Sequence, residues 1–398
     1  MTSRTIGSNA VALAGARVVA AAGALATSII AARSLGPSDF GSLVAILASA
    51  FVANTLVTFG TDTLVVREVA IDSATRETGE SLGLQLVVAV PLTLAAGSAV
   101  AFGASEALAI AAIGLLPGVW STTALAVLRG RERMELAAVA NIVGGCVAVA
   151  GAFIAAANDA TVSGFVVAFV CGLTSTAISA SVLASRLVTG SLRPTFARST
   201  WRRAAPFASM VAATAIAASA GVLALELFGA EDATGHFGAA NRVGEGMRLL
   251  PAAFFGAAFP AMTRSVHHTD AYAATVVRVT AATISLAVIV AATAGPIVEV
   301  LFADFDGSVT PLRVLAVGLI PLTFRLKWSF ELIAEGDERG VATASAVAAA
   351  VTVLLAVGAA VLAGPTLVAI ASVTGIAVNA GVLRLRKQRS ETVAVEST

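Results

Sequence analysis

The sequence predicts an all-α polytopic membrane protein, with about twelve transmembrane helices in two parallel six-helix lobes. Three observations carry this expectation. Of 398 residues, 58% are apolar and only 12% charged, about half of the roughly 25% charge of a soluble domain, so most of the surface must face lipid. The apolar runs are long and continuous without period-two alternation, which excludes a membrane β-barrel. Short motifs also recur in the two halves of the chain at nearly constant offsets.

Apolar runs between turn signals, at roughly 20 residues per crossing, predict helices near 9–32, 40–66, 82–103, 106–128, 136–157 and 161–187. A second set is predicted near 204–228, 236–262, 275–302, 310–334, 341–363 and 366–384. The expected organisation is a first lobe over 1–190, a basic linker over 191–203, a second lobe over 204–385 and a tail over 386–398. Arg4 before an apolar stretch resembles the start of a signal peptide. That stretch is too long for a signal core and Arg17 interrupts it, so it is expected to remain as the first crossing.

Orientation follows from the loop cations, because positively charged flanks are retained in the cytoplasm. Eighteen arginines and lysines fall on alternate connections, among them Arg67, Arg76, Arg129, Arg131, Arg133, Arg193, Arg203, Arg339 and Arg389. The opposite connections hold Arg33 and the acids Asp159, Glu231, Asp232, Asp304 and Asp306. Both termini are therefore expected on the cytoplasmic side of the cell membrane. Cys146 and Cys171 lie within apolar runs, where packed thiols are expected instead of a disulfide or ligands. The three histidines are too few and too peripheral for a metal site, and no metal, cofactor or nucleic-acid partner is expected.

The repeat is visible in short echoes. Phe40-Gly41 and Arg67 recur as Phe237-Gly238 and Arg264, 197 residues later, and Gly130-Arg131-Glu132-Arg133 echoes Gly336-Asp337-Glu338-Arg339 at an offset of 206. Six crossings per half return each half to the side on which it began, so the halves run in parallel. Two such lobes enclose a central cavity in carriers that work by alternating access.

Charges within the predicted spans narrow the function further. Asp62, Glu226, Glu299, Lys327 and Glu331 sit near helix ends, where they are expected to reach water. Arg17, Arg242, Arg248, Arg313 and Arg325 lie deeper, with Glu245 as the accompanying acid. An arginine facing lipid at mid-membrane costs about 2.5 to 3.5 kcal/mol on the insertion scale, so these five must face protein or water. Asn241, Glu245 and Arg248 share one stripe of a helix, and Glu245 can neutralise Arg242 or Arg248 but not both. An aqueous cationic cavity lined by the arginines suits a bulky anion, and the planar guanidinium fork suits phosphate in particular. Buried ion pairs that merely hold the helices together are the competing structural reading. Pro251, Pro260, Pro311 and Pro321 are positioned to break or kink the same helices.

The run Ala32-Arg33-Ser34-Leu35-Gly36-Pro37-Ser38-Asp39-Phe40-Gly41, with Gly60 and Arg67-Glu68-Val69-Ala70, resembles the start of Wzx-type polysaccharide flippases. These belong to the multidrug/oligosaccharidyl-lipid/polysaccharide exporter superfamily. Gly235 to Arg242 and Phe259-Pro260 resemble that family's turn and helix after the seventh span, although His236 and Phe237 stand where members usually carry tyrosine. By position, Arg33, Gly36, Pro37, Phe40 and Gly41 match the first motif and Arg242 the second. The resemblance implies a MATE-like fold that moves a polyprenyl-diphosphate-linked oligosaccharide from the cytoplasmic to the outer leaflet. It also implies a polysaccharide polymerase or glycosyltransferases as working partners.

Two other functions compete. A cation-coupled multidrug antiporter of the same superfamily needs a buried carboxylate, and the first span offers Arg17 instead. A membrane-embedded glycosyltransferase or polymerase needs carboxylates or a metal on sizeable loops, and the longest loop here is the basic linker. Twelve spans where longer relatives have fourteen argue against a lipid-linked peptidoglycan precursor as the cargo. The topology has a direct check: reporters fused after Arg76, Arg133, Arg203 and Arg389 should read as cytoplasmic and those near Asp159 and Asp306 as external, and an external signal at Arg389 would overturn the orientation.

Overall fold

The computed structural model describes residues 3–71, 76–103, 105–158, 160–187, 193–195, 198–230, 232–264 and 270–396. Side chains are described between 21 and 389, except at 71–77, 104, 159, 188–192, 196–199, 206–207, 231, 253, 256–273, 275 and 363. Regular structure among these residues is helical throughout. Contacts divide the chain into two units, Met1–Ala215 and Ile216–Thr398.

The N-terminal unit opens with α1 (Ser3–Thr58), whose path is broken at Gly36 by a backbone of φ 74° and ψ 176°. Glycine alone tolerates that region of φ/ψ space. Pro37 follows, where its fixed φ starts the next helical turn and its missing N–H costs nothing. Phe40 and Gly41 lie buried one turn further on. A second break, with Phe59 at φ 49° and Gly60 at φ 66°, separates α1 from α2 (Thr61–Ile71). After α3 (Arg76–Val100) come α4 (Glu106–Ile113), α5 (Leu115–Gly130), α6 (Met134–Ala157) and α7 (Val162–Ser185).

Small residues set how closely these helices approach. A Cβ on Gly144 of α6 would overlap the Thr176 hydroxyl of α7, and one on Gly151 would come within 2.8 Å of Ala168. Val65, Val69, Val127, Leu128, Ala140 and Ala180 form a buried cluster joining α2, α5, α6 and α7. A polar seam crosses the same unit. Thr123 donates to Gln85 Oε1 at 3.0 Å, Gln85 Nε2 donates to Thr61, and Thr61 donates to the Thr58 carbonyl at 2.6 Å. All three side chains are buried, and in an apolar surrounding such bonds are costly to leave unmade.

The described part of the basic linker packs on this unit. Thr195 N–H donates to the Gly79 carbonyl at 2.9 Å, and Cβ atoms on Gly79 or Gly83 would overlap the linker backbone. The next helix, α8 (Arg198–Phe228), then fixes its first turns on α2 and α3. The Thr200 hydroxyl donates to the buried Glu80 at 2.8 Å, Arg203 pairs with Glu68, and Trp201 lies 4.7 Å from Phe59 between ring centroids. The division between the two units falls inside α8, at Ala215.

The C-terminal unit continues through α9 (Ala233–Arg264) and α10 (Asp270–Ala292), then a 69° bend into α11 (Ala294–Phe302). A short turn at Asp306–Ser308 leads to α12 (Val309–Val317), α13 (Leu319–Ala334), α14 (Glu338–Ala363) and α15 (Pro365–Glu396). Asp337 caps α14 by accepting from the Gly340 N–H at 3.0 Å, and its other oxygen accepts from Arg386 Nε of α15 at 3.0 Å.

The repeat is written in the backbone. The break between α4 and α5 at Gly114 (φ −60°, ψ −17°) matches that between α12 and α13 at Gly318 (φ −61°, ψ −15°). Each is followed by a proline, Pro117 or Pro321, whose missing N–H cannot bond the carbonyl four residues earlier. The end of α5 repeats in α13: Arg133 N–H donates to the Leu128 carbonyl and Glu132 N–H to Arg129, as Asp337 does to Leu332 and Gly336 to Ile333. This is the Schellman closure, with the left-handed residue supplied by Glu132 (φ 57°) and Gly336 (φ 87°). The offset is 204 in both places, so the expected register of 206 for the Gly130 echo is corrected by two residues: residue identity aligned the glycines, whereas the left-handed turn aligns Glu132 with Gly336.

Nine described helices are long and apolar enough to span a membrane, or ten with the bent pair of α10 and α11. Dividing α1 at Gly36 and adding α9, whose polar stripe lowers its hydropathy, is consistent with twelve. Two other expectations are corrected. Cys146 and Cys171 are free but exposed on the outer faces of α6 and α7, because alanines and glycines take the close-packed positions there. Glu331 does not reach water: its side chain is 3% exposed and lies 3.5 Å from Lys327, one turn away on α13.

Since no atom lies within 4 Å of a Cβ built on Gly36, substitution there acts through the backbone alone. Gly36→Ala should lower stability by about 1–3 kcal/mol, read as a fall in Tm in detergent. Gly145→Ala, in open space on α6, should hold or raise it slightly. An unchanged Tm for Gly36→Ala would show that the positive φ is dispensable.

Candidate functional site: arginines on α9 and α13

Helix α9 buries Phe237, Ala240, Asn241, Met247 and Phe255, a stripe at helical spacing that fixes the rotation of the helix within its unit. Close packing begins at its first turn, where Gly221 of α8 admits the Phe237 ring. With that face fixed, Arg242, Glu245 and Arg248 project from its margin. Arg242 and Arg248 are half-buried and Glu245 is exposed.

The three side chains and Asn241 form one hydrogen-bonded set. Arg242 Nη1 donates to Glu245 Oε2 at 2.9 Å, and Asn241 Nδ2 donates to Glu245 Oε1 at 3.1 Å. Arg248 Nη2 donates to Asn241 Oδ1 at 3.1 Å. Glu245 therefore settles on Arg242, and Arg248 is held by an uncharged amide. Both ends of Asn241 are used, which fixes its orientation. Glu245 thus pairs directly with Arg242 and reaches Arg248 only through Asn241.

Arg325 of α13 lies near enough to Arg248 for the two charges to repel. Neither is within ion-pair distance of a carboxylate among the described residues, and the buried Nε of Arg325 has no hydrogen-bond partner. The Nε of Arg242 is likewise buried and unpartnered. Two guanidiniums outside any ion pair among the described residues thus share one locality, with Glu245 acting on Arg248 from beyond ion-pair distance, and each has donors to spare, since the fork carries five N–H groups. Such an arrangement accepts an anion with several oxygens, because the ligand removes the mutual repulsion as it fills the donors.

The remaining candidates are placed differently. Arg313 is exposed on α12 and makes no hydrogen bond or ion pair among the described residues. Arg33 is exposed beside the Gly36 break in the N-terminal unit, where Gly36, Pro37, Phe40 and Gly41 shape the chain path. The side chains of Arg17 and Pro260 lie outside the described residues. Pro251 is accommodated within an unbroken α9, while Pro311 and Pro321 stand in the first turns of α12 and α13. No group of three or more potential metal ligands occurs among the described residues.

Similarity to known proteins bears on the fold and the family. The sequence profile of a family described as polysaccharide biosynthesis protein matches residues 6–266, well over half of the chain. The fold is similar to that of a solved structure titled lipid II flippase MurJ in an inward closed conformation, at 11% identity and TM-score 0.78, covering 94% of this chain and 87% of the other. It is also similar to an inward-facing multidrug resistance MATE family transporter of the MOP superfamily, at 16% identity and TM-score 0.70, covering 94% and 95%. An outward-facing structure of such a MATE transporter gives 18% identity and TM-score 0.69, covering 99% and 97%. No curated protein matches the chain. With the helical repeat, the apolar spans and the family profile in agreement, the chain belongs to the polysaccharide biosynthesis protein family.

Proposed function

We propose that the protein is a flippase that carries a polyprenyl-diphosphate-linked oligosaccharide from the cytoplasmic to the outer leaflet by alternating access. The observation that carries this reading is the pair Arg248 and Arg325, two guanidiniums near enough to repel, neither of which makes an ion pair among the described residues. A diphosphate brings several acceptor oxygens and the opposite charge, and bonds to charged donors are the stronger kind. The family supports a lipid-linked cargo. Arg242, already bound to Glu245, and the exposed Arg313 are assigned to the margin of the same anion path, with Arg17 as a further contributor from the first span. A polymerase or glycosyltransferase on the outer face would consume the product.

A drug or cation antiporter is less well supported. The buried carboxylate of Glu331 already has Lys327 as its partner and is poorly placed for free exchange of protons or sodium.

Transport of a fluorescent polyprenyl-diphosphate-linked sugar in reconstituted vesicles tests the proposal. Arg248→Gln should cut transport per folded molecule roughly 10- to 100-fold, the range for losing hydrogen bonds to a charged group. Arg248→Lys should fall between that variant and the unsubstituted protein, because it keeps the charge and loses the fork. Melting temperatures should stay close to that of the unsubstituted protein. Undiminished flipping by Arg248→Gln, or uptake of a cationic dye in preference to the lipid, would overturn the reading.

A further inference from the structure

Late in α15 four cations fall within six residues, Arg384, Arg386, Lys387 and Arg389, and the fold engages two of them. Arg386 Nε donates to Asp337 at 3.0 Å, and the buried Lys387 pairs with Glu335. Both acids lie at the turn between α13 and α14, so one face of α15 is clasped against that turn. The clasp is close, since a Cβ on Gly340 would overlap both Asp337 and Arg386.

The other face is left outside. Gly381, Arg384, Leu385, Gln388 and Arg389 share it at helical spacing, and all five are exposed. Arg384 and Arg389 make no hydrogen bond or ion pair among the described residues. Leu385, between them, is 60% exposed. A Cβ on Gly381 would meet no atom within 4 Å, so a shallow notch opens one turn before Leu385.

Depth in the membrane gives this face its chemistry. The helix starts at Pro365, and about 20 residues carry it across the hydrocarbon layer, which brings Arg384 and Arg389 out among the lipid phosphates. The bias of cations towards one side of the membrane accounts for four at this end, but it does not sort them between faces. Here two are spent on the clasp, and two flank an exposed leucine on the side away from it. That pattern suits the boundary between headgroups and acyl chains, where guanidiniums hold phosphate and the leucine enters the apolar layer. A zwitterionic headgroup brings its own ammonium beside the phosphate, so two unengaged guanidiniums favour a lipid with net negative charge. A soluble phosphate has no use for Leu385 or the notch.

We infer that Gly381, Arg384, Leu385 and Arg389 form a binding site for an anionic phospholipid of the leaflet into which α15 emerges. The site lies within the C-terminal unit and is independent of the flippase reading.

The test titrates the purified full-length protein, in a neutral detergent, with phosphatidylglycerol, phosphatidylcholine or soluble glycerol phosphate. Bound molecules are counted by native mass spectrometry, and Tm is followed in parallel. Phosphatidylglycerol should bind about tenfold more tightly than phosphatidylcholine and raise the Tm, and glycerol phosphate should do neither. Arg384→Gln and Arg389→Gln should each cut that preference about fivefold, the weight of one cation near an anionic surface, and the double variant should abolish it. Lysine at both positions keeps the charge and should retain most of the preference. Leu385→Ser should weaken both lipids alike. Arg248→Gln, in the proposed cargo site, should leave the preference within twofold, so failure of the lipid site and failure of the flippase reading are separate results.

Equal binding of the two lipids, or a preference that survives the double glutamine variant, would overturn the site. A preference lost in Arg248→Gln would move the anion to the arginines of α9 and α13 and overturn it as well. Stabilisation by glycerol phosphate equal to that by the lipid would leave a phosphate site with no lipid specificity, which also contradicts the inference. The single glutamine variants carry the comparison if the double variant does not fold.

Discussion

Inside a bilayer a peptide group has no water to turn to, so every N–H and C=O must find its partner within the protein. That constraint explains why the regular structure is helical and why departures from helix are so few and so stereotyped. At Gly114 and Gly318 the chain gives up a hydrogen bond to a proline, and the surrounding turns keep the donors at the break engaged. At Arg131 to Arg133 and again at Glu335 to Asp337, a left-handed residue folds the last carbonyls of one helix onto the first amides of the next segment. The repeated geometry reflects a narrow set of solutions for bending a helix where solvent cannot help.

The same shortage of solvent governs the side chains. Gln85 is shared between two threonines, Glu80 takes the Thr200 hydroxyl, and Asn241 is engaged at both ends. Against that pattern, groups with donors or acceptors left over stand out. Arg325 Nε, a buried donor near a second positive charge, is one such group, and Asn54 Oδ1, sealed against Gly118, is another.

Much of the fold was legible because its signals are long and redundant. Twelve apolar runs, bounded by turns, locate the helices to within a few residues in most cases. The Gly36-Pro37 break was visible as a motif, although its φ/ψ was not. What escaped were features that depend on a partner elsewhere in the chain. Isoleucine-glycine-leucine-leucine-proline at 113–117 and valine-glycine-leucine-isoleucine-proline at 317–321 were available in the sequence as a repeat and would have given the register of 204 directly. The choice of Glu245 between two arginines turns on rotamers that spacing leaves open. Glu331 looked solvated because of its nearness to a helix end, but its side chain is buried beside Lys327 of the same helix. Asn54 and Gln85, lone amides in apolar runs, carried a signal that charge counting passes over.

The seating of the linker bears on how the protein is made. The N-terminal unit is incomplete when α7 leaves the ribosome, because the Thr195 amide for the Gly79 carbonyl, the Thr200 hydroxyl for Glu80 and the Arg203 partner of Glu68 have yet to emerge. Domains ordinarily fold as units in order of emergence. Here the start of the following helix is a component of the preceding unit, so a nascent chain must wait for α8 before α2 and α3 acquire their full set of bonds. A split-protein version cut at the linker would separate the first fragment from those groups, whereas a cut placed after the first turns of α8 would keep them together.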